Sequence, residues 1–383
     1  MCEERKTGRI YADHLSPGKL YEALPVLEGD EMLSPVGRLR AGAGPLLSWY
    51  ESHARVLPWR EEPHPYRVWI SEIMLQQTRV EAVKPYFYRF MEALPDVKAL
   101  AQVGDQRLMK LWEGLGYYNR ARNLKKAAQV MMEEYRGQLP DSYEELLKLP
   151  GIGSYTAGAI ASIAFHIPVP AVDGNVLRVI SRVLASEEDI LKQSVKGKIE
   201  SYVREAMPKD RASAFNQGLI EIGAMVCVPN GQPKCGECPF SSLCLGRRRG
   251  LLDRIPVKTP KKPRKVEERT VLLVGAGDGI AIEKRPDRGL LASLYQFPNV
   301  EGNLTGEDVR RLLESMGGQV ACLEPAGKAK HIFSHVEWHM TGYLVTLEHA
   351  IDSYIFVDRD ELREKYPIPN AFSVYRNVLI GES

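Results

Sequence analysis

The 383-residue chain lacks an apolar run long enough to span a bilayer. The best candidate, Gly158 to Val172, is broken by His166, Pro168 and Pro170. Its first ten residues, MCEERKTGRI, are charged and lack the apolar stretch of a secretory signal. Both absences predict a soluble, intracellular protein placed in the cytoplasm, with no membrane partner. A dominant charge is missing too: 51 basic residues against 49 acidic ones leave a net +2. That total favours no class of partner, although it is compatible with a local basic face. Internal repeats are absent. Cysteine is scarce, at six residues, yet Cys227, Cys235, Cys238 and Cys244 crowd into one short segment. In a reducing compartment such crowding points to metal binding rather than to disulfides. Cys2 and Cys322 stand apart and read as free thiols. What is present, 44% hydrophobic and 26% charged residues, suits a chain that buries cores and excludes a disordered or fibrous one.

Five segments follow from the pattern. Residues 1–43 carry Pro and Gly punctuation with little periodicity and read as a loosely ordered N-terminal extension. Residues 44–226 are helical, with apolar residues at three and four spacing in Leu146–Leu149, Val176–Ile180 and Leu219–Ile222. The cysteines occupy 227–245. A Lys-, Arg- and Pro-rich stretch, 246–268, reads as an exposed basic linker. From 269 to 383 the texture is α+β: strands at Thr270–Val274, Ile280–Ile282 and Met340–Leu347, helices at Val309–Ser315 and Arg359–Lys365.

Four motifs carry chemistry. In LPGIGSYTAGAI (149–160), Gly151 and Gly153 permit positive φ and close backbone approach. The helix that follows offers free N–H groups of the kind that bind phosphate, or else the motif is a plain helix–turn–helix corner. VPAVDGNVLRVISR (169–182) puts Asp173 at a helix start, where Asp also serves as an ordinary N-cap. In VWISEIMLQQTRV (68–80), Glu72, Gln76 and Arg79 share one helical face, the pattern of a solvated stripe as much as of a site. The cysteine array is C-x7-C-x2-C-x5-C, which suits tetrahedral zinc or a [4Fe–4S] cluster, and spacing leaves both open.

Together, LPGIG, VDGNVLRV and the four cysteines resemble the helix–hairpin–helix DNA glycosylases. LPWR (57–60), SEIMLQQT (71–78), LWEGLGYYNRAR (111–122) and FNQGLIEIGAMVC (215–227) narrow the resemblance to the adenine DNA glycosylase (MutY) family. GLLASLYQFP (289–298) and HIFSHVEW (331–338) are similar to that family's lesion-recognition domain, so the resemblance runs over about residues 44–375. The implied fold is multidomain: an all-α helix–hairpin–helix glycosylase domain with a four-cysteine iron–sulfur segment, plus an α+β Nudix-like C-terminal domain.

The resemblance implies hydrolytic removal of adenine mispaired with 8-oxoguanine, and also of A:G adenine, from double-stranded DNA by a monomer. Glu72 falls on the family's catalytic acid and Asp173 on its second carboxylate. The pairing makes chemical sense: the leaving adenine needs a proton, and an oxocarbenium-like sugar needs a negative neighbour. Tyr155 and Asn175 match positions that hydrogen-bond around the site, and Gln217 one that reads the flipped adenine. Because the target must leave the stack, Gln77 and Tyr117 match residues that fill the gap. Phe333, Ser334 and His335 match the loop that meets 8-oxoguanine. Trp59, Arg60, Gln76, Gly151 and Gly153 complete the expected DNA and substrate contacts, and Cys227, Cys235, Cys238 and Cys244 would hold a [4Fe–4S] cluster.

The sequence departs from the family in two places. The first cysteine loop, VPNGQPK, holds seven residues where the family usually has six. The acidic metal box of Nudix hydrolases is degraded to VRRLLESMGG, leaving Glu314 nearly alone. Such a domain binds and does not hydrolyse. The alternatives are an endonuclease III-like enzyme with lyase activity on oxidised pyrimidines, a non-enzymatic lesion binder and a Nudix hydrolase. The first needs a lysine where Tyr155 stands, and a phenol forms no imine. Retention of Glu72 and Asp173 opposes the second, and the degraded box opposes the third.

Overall fold

A computed structural model describes residues 33–260 and 263–380. Residues 1–32 of the expected N-terminal extension lie outside the described residues. Its remainder is helical over Pro35–Ala41, with Ser34 accepting from the Gly37 amide at 3.0 Å. Periodicity missed this helix because its buried face includes an arginine: Arg38 is 1% exposed and donates to the Leu243 carbonyl at 2.8 Å.

The described chain forms two compact units that do not follow chain order. One comprises residues 33–54, 173–208 and 217–257; the other comprises 55–172, 209–216, 258–260 and 263–380. In the first unit, helices Ala43–His53, Gly174–Val183 and Gln193–Ala206 bury Leu46, Trp49, Val176, Ile180 and Val203. Part of the expected linker belongs to this unit's interior. Ile255 is buried, its carbonyl accepts from Arg182 Nε at 2.8 Å, and Asp189 bridges to Val257. The apolar residues inside the basic run LLDRI pin it down, and Lys265–Glu268 at the far end of the expected linker already pair as a strand with Val336–His339.

In the second unit, helices Pro65–Leu75, Val80–Ala93, Asn119–Glu134 and Ser154–Ala164 enclose a core of Trp69, Ile73, Phe87, Phe90, Trp112, Leu124 and Ile160. The same unit carries a sheet of seven strands: β1 (Lys265–Ala276), β2 (Gly279–Lys284), β3 (Tyr295–Gln296), β4 (Asn299–Glu301), β5 (Val320–Ile332), β6 (Val336–Leu347) and β7 (Ile355–Val357). The order is β3-β2-β1-β6-β5, with β4 also on β1 and β7 on β2. Only β1 and β6 run parallel, from Lys265 opposite Val336 to Ala276 opposite Leu347. Both faces of β1 are covered, which is why TVLLV reads as a continuous apolar run. Leu272 and Val274 pack with Val309 and Leu313 of helix Gly306–Ser315, and Val271 and Leu273 pack with Trp338, Phe372 and Tyr375. The fold is therefore the helical-plus-α+β arrangement expected.

The sheet domain grips the helical part through Glu113. Its carboxylate accepts from the Ile368 amide at 2.8 Å and pairs with Lys110 at 2.6 Å and Arg376 at 3.3 Å. Asn370 donates to the Gly114 carbonyl at 3.0 Å, and Leu294 is fully buried in the helical core. Burying such a leucine contributes on the order of 1.5–3 kcal/mol.

Candidate functional site

Glu72 sits on helix Pro65–Leu75 and is 7% exposed, so the solvated stripe that spacing allowed is not what forms. The Tyr155 hydroxyl donates to Glu72 Oε2 at 2.6 Å. Tyr155 stands in the first turn of helix Ser154–Ala164, one residue from Thr156, whose hydroxyl accepts from Gln76 at 3.4 Å. Two helices far apart in sequence thus bring Glu72, Gln76 and Tyr155 together. Gly158 on the second helix lets the Pro170 backbone pack against it: a Cβ there would meet the Pro170 carbonyl oxygen at 2.0 Å.

The hairpin before that helix turns at Gly151, with φ +80, and a Cβ there would meet Asn123 at 2.7 Å. Gly153 differs from expectation. It is the N-cap in extended backbone (φ −97, ψ −179), a conformation that any residue adopts. No side chain caps this helix, and Gly151, Gly153 and Ser154 are exposed.

Gln77 and Tyr117 are exposed, and both are non-glycine residues at positive φ, +60 and +47. Holding such a conformation costs on the order of 1–3 kcal/mol per residue. Both line a cleft of about 660 Å³, joined by Gln76, Arg122, Asn123, Leu291, Phe333, Ser334 and His335. The helical part supplies one wall and the sheet domain the other. His331 stacks edge-on against Phe333, and Phe333 against Trp338, which fixes the loop from inside. Trp59 takes no part here; it is 4% exposed and packs edge-on against Phe87. Arg60 donates to the Arg55 carbonyl at 3.1 Å.

In the other unit, Asp173 caps helix Gly174–Val183, as its ordinary role allowed, and does more. Oδ1 accepts from the Asn175 and Val176 amides, both at 2.8 Å, and Oδ2 accepts from Asn175 Nδ2 at 2.7 Å. Burial raises the carboxyl above its usual range, against the pull of these hydrogen bonds and of Arg178. Arg178 donates to Asn175 Oδ1 at 2.8 Å, to the Gly223 carbonyl at 2.7 Å and to the Cys227 carbonyl at 2.8 Å. Gln217 belongs to this unit and is nearly buried.

All four cysteines line one cavity with Arg182, Val226 and Arg247. Arg182 donates to Cys227 Sγ at 3.3 Å. Burial pushes the Cys238 thiol up to about 12, and burial together with the neighbouring thiols raises Cys235 and Cys244. Four thiols crowded around one cavity beside a guanidinium form a donor set that a cationic metal group would relieve, so the residues fit a thiolate-held centre. Among the described residues no three His, Cys, Asp or Glu side chains meet as a single metal ion requires. No helix among them is long and apolar enough to cross a membrane.

Sequence reading missed Arg120, Arg178, Arg182 and Glu113. The only trace of the middle two was an i, i+4 pair of arginines inside VLRVISRV, on a helix otherwise apolar.

Residues 70–205 match the HhH-GPD superfamily of base excision DNA repair proteins, and residues 269–376 match the NUDIX domain. The fold is similar to a thermostable thymine-DNA glycosylase, at 28% identity and TM-score 0.50 over 55% of this chain and 97% of that one. The chain is thus a helix–hairpin–helix glycosylase in architecture, with a NUDIX domain appended. It is 34% identical to the adenine DNA glycosylase of Rattus norvegicus over 83% of this chain and 72% of the relative. It is 35% identical to that of Homo sapiens (82% and 68%) and 34% to that of Buchnera aphidicola (76% and 82%). The chain belongs to the adenine DNA glycosylase family.

Proposed function

We propose that this chain removes adenine mispaired with 8-oxoguanine, and more slowly adenine opposite guanine, from duplex DNA as a cytoplasmic monomer. Membership in the adenine DNA glycosylase family supports base excision. The observation that carries the lesion specificity is the cleft in which Gln77 and Tyr117 face Phe333, Ser334 and His335. 8-Oxoguanine differs from guanine by a carbonyl at C8 and a hydrogen on N7. A hydroxyl and an imidazole recognise such a difference, worth about 1–3 kcal/mol per well-placed bond to a base edge.

Glu72 delivers the proton that makes adenine a neutral leaving group, and Tyr155 holds the carboxyl in one orientation. Asp173, ionised, opposes the developing charge on the sugar. Asn175 fixes Oδ2, and the helix amides fix Oδ1. Gln217 reads the extruded adenine. Gly151 and Gly153 bring the hairpin and its N–H groups to a DNA phosphate. Cys227, Cys235, Cys238 and Cys244 would hold a [4Fe–4S] cluster, which when bound ties residues 227–244 into a rigid loop. Tyr155, in place of an amine, supports hydrolysis without lyase chemistry.

The test is a panel of duplexes carrying A:8-oxoguanine, A:G, C:8-oxoguanine and thymine glycol. Alkali-labile breaks are expected at the adenine of the first two. Breaks at thymine glycol, or none at adenine, would overturn the reading.

A further inference from the structure

Gln77 and Tyr117 sit on separate loops, and each is held in a conformation that its own loop does not favour. Arg120 is what they share. It is 8% exposed on helix Asn119–Glu134, and its two terminal nitrogens divide their bonds between the loops. One donates to the carbonyls of Ile73 and Gln76 at 2.8 Å and of Met74 at 2.9 Å. The other donates to the carbonyls of Leu115 at 3.0 Å and Gly116 at 3.1 Å, and reaches the Thr78 hydroxyl at 3.5 Å. The guanidinium plane also lies 5.7 Å from the Tyr117 ring. Burial lowers its pKa to about 10.

This arrangement is not an ordinary ion pair. Among the described residues no carboxylate shares these bonds, and Nε, buried, has no partner. A buried N–H left unmade is unfavourable, so the orientation is one that serves both loops at the expense of that donor. The carbonyls of Ile73, Met74 and Gln76 belong to the C-terminal end of the Glu72 helix, where carbonyls lack intrahelical donors. A planar fork with two donor ends spans two loops, whereas a lysine nitrogen is a single point.

We propose that Arg120 is a positioning residue that locks the Gln77 loop and the Tyr117 turn into one two-pronged wedge of fixed spacing. It thereby governs displacement of the target base rather than cleavage. This rests on the adenine-excision reading above, with Gln77 and Tyr117 filling the opened stack.

The test uses the full chain and R120K under single turnover at saturating enzyme. One substrate is the A:8-oxoguanine duplex; the other has adenine opposite a tetrahydrofuran abasic analogue, where the stack is already interrupted. R120K is expected to lose about tenfold or more on the paired substrate and only about twofold on the interrupted one, because extrusion and not chemistry is impaired. Equal losses on both would overturn the proposal, since a fold or Glu72 defect acts on both alike. Wild-type protein that excises adenine from neither would instead refute the functional reading. Should R120K fail to fold, amide exchange on the wild type decides. One common opening rate for residues 76–79 and 115–118 supports the lock, and independent opening overturns it.

Discussion

The Tyr155 hydroxyl donates to Glu72 Oε2 at 2.6 Å, joining two helices whose contributing residues lie 83 apart in sequence. The phenol thereby restrains how the carboxyl is turned.

Removing that hydroxyl tests the orientation. Tyr155→Phe keeps the ring packing and deletes the one hydrogen bond to Glu72 Oε2. We expect the single-turnover rate to fall roughly tenfold or more with the melting temperature nearly unchanged. Tyr155→Lys should add borohydride-trappable product, because it supplies an amine. An unchanged rate in the Phe variant would show that Glu72 is oriented by other partners.

Asp173 gives a pH signature. Its carboxyl is raised above the usual range chiefly by burial. Excision that needs the ionised form should fall on the acid side at a pH above an ordinary aspartate's midpoint. For stability the direction is opposite. A raised folded-state carboxyl binds extra protons between its unfolded and folded pKa, so its favourable contribution, present below that window, is lost as pH rises through it. Asp173→Asn, which still caps the helix through Oδ1, should therefore melt no lower than wild type at pH 7 while losing excision. A large drop in its melting temperature would mean that the carboxylate is chiefly structural.

The cysteine segment is tested by metal content. Protein purified without oxygen should be brown, with about four irons per chain. One zinc per colourless chain would keep the staple and refute the cluster.

Glu113 tests how the sheet domain is held. Its carboxylate takes the Ile368 amide, Lys110 and Arg376. Glu113→Ala leaves a half-buried amide and two cations without it, at a cost of about 1–3 kcal/mol. The A:8-oxoguanine to A:G rate ratio should fall while A:G excision persists. An unchanged ratio would place lesion recognition outside the cleft.

Motif spacing made much of this legible. The four cysteines stood out by their spacing, whereas Glu72 and Asp173, ordinary as a helical stripe and an N-cap, were singled out only by the resemblance of their strings to a family. The division into units was not legible, because helix Ala212–Met225 crosses it without any break in periodicity. Strand β5 escaped notice because it is an edge strand with register shifts at Val320/Cys322 and Pro325/Gly327, which blur the alternation. Arg120, Arg178 and Arg182 were invisible for another reason. An arginine on a helix reads as solvent-facing until folding brings carbonyls from several loops around it.

The measurement that bears most directly on the account is single-turnover excision by Glu72→Gln on A:8-oxoguanine DNA, beside its affinity for the same duplex. Glutamine preserves size and accepts from Tyr155 but has no acidic proton. We predict a rate loss of about a hundredfold or more, the scale of general acid catalysis, with binding retained. Near-normal excision by that variant would contradict the assignment of Glu72 as the acid.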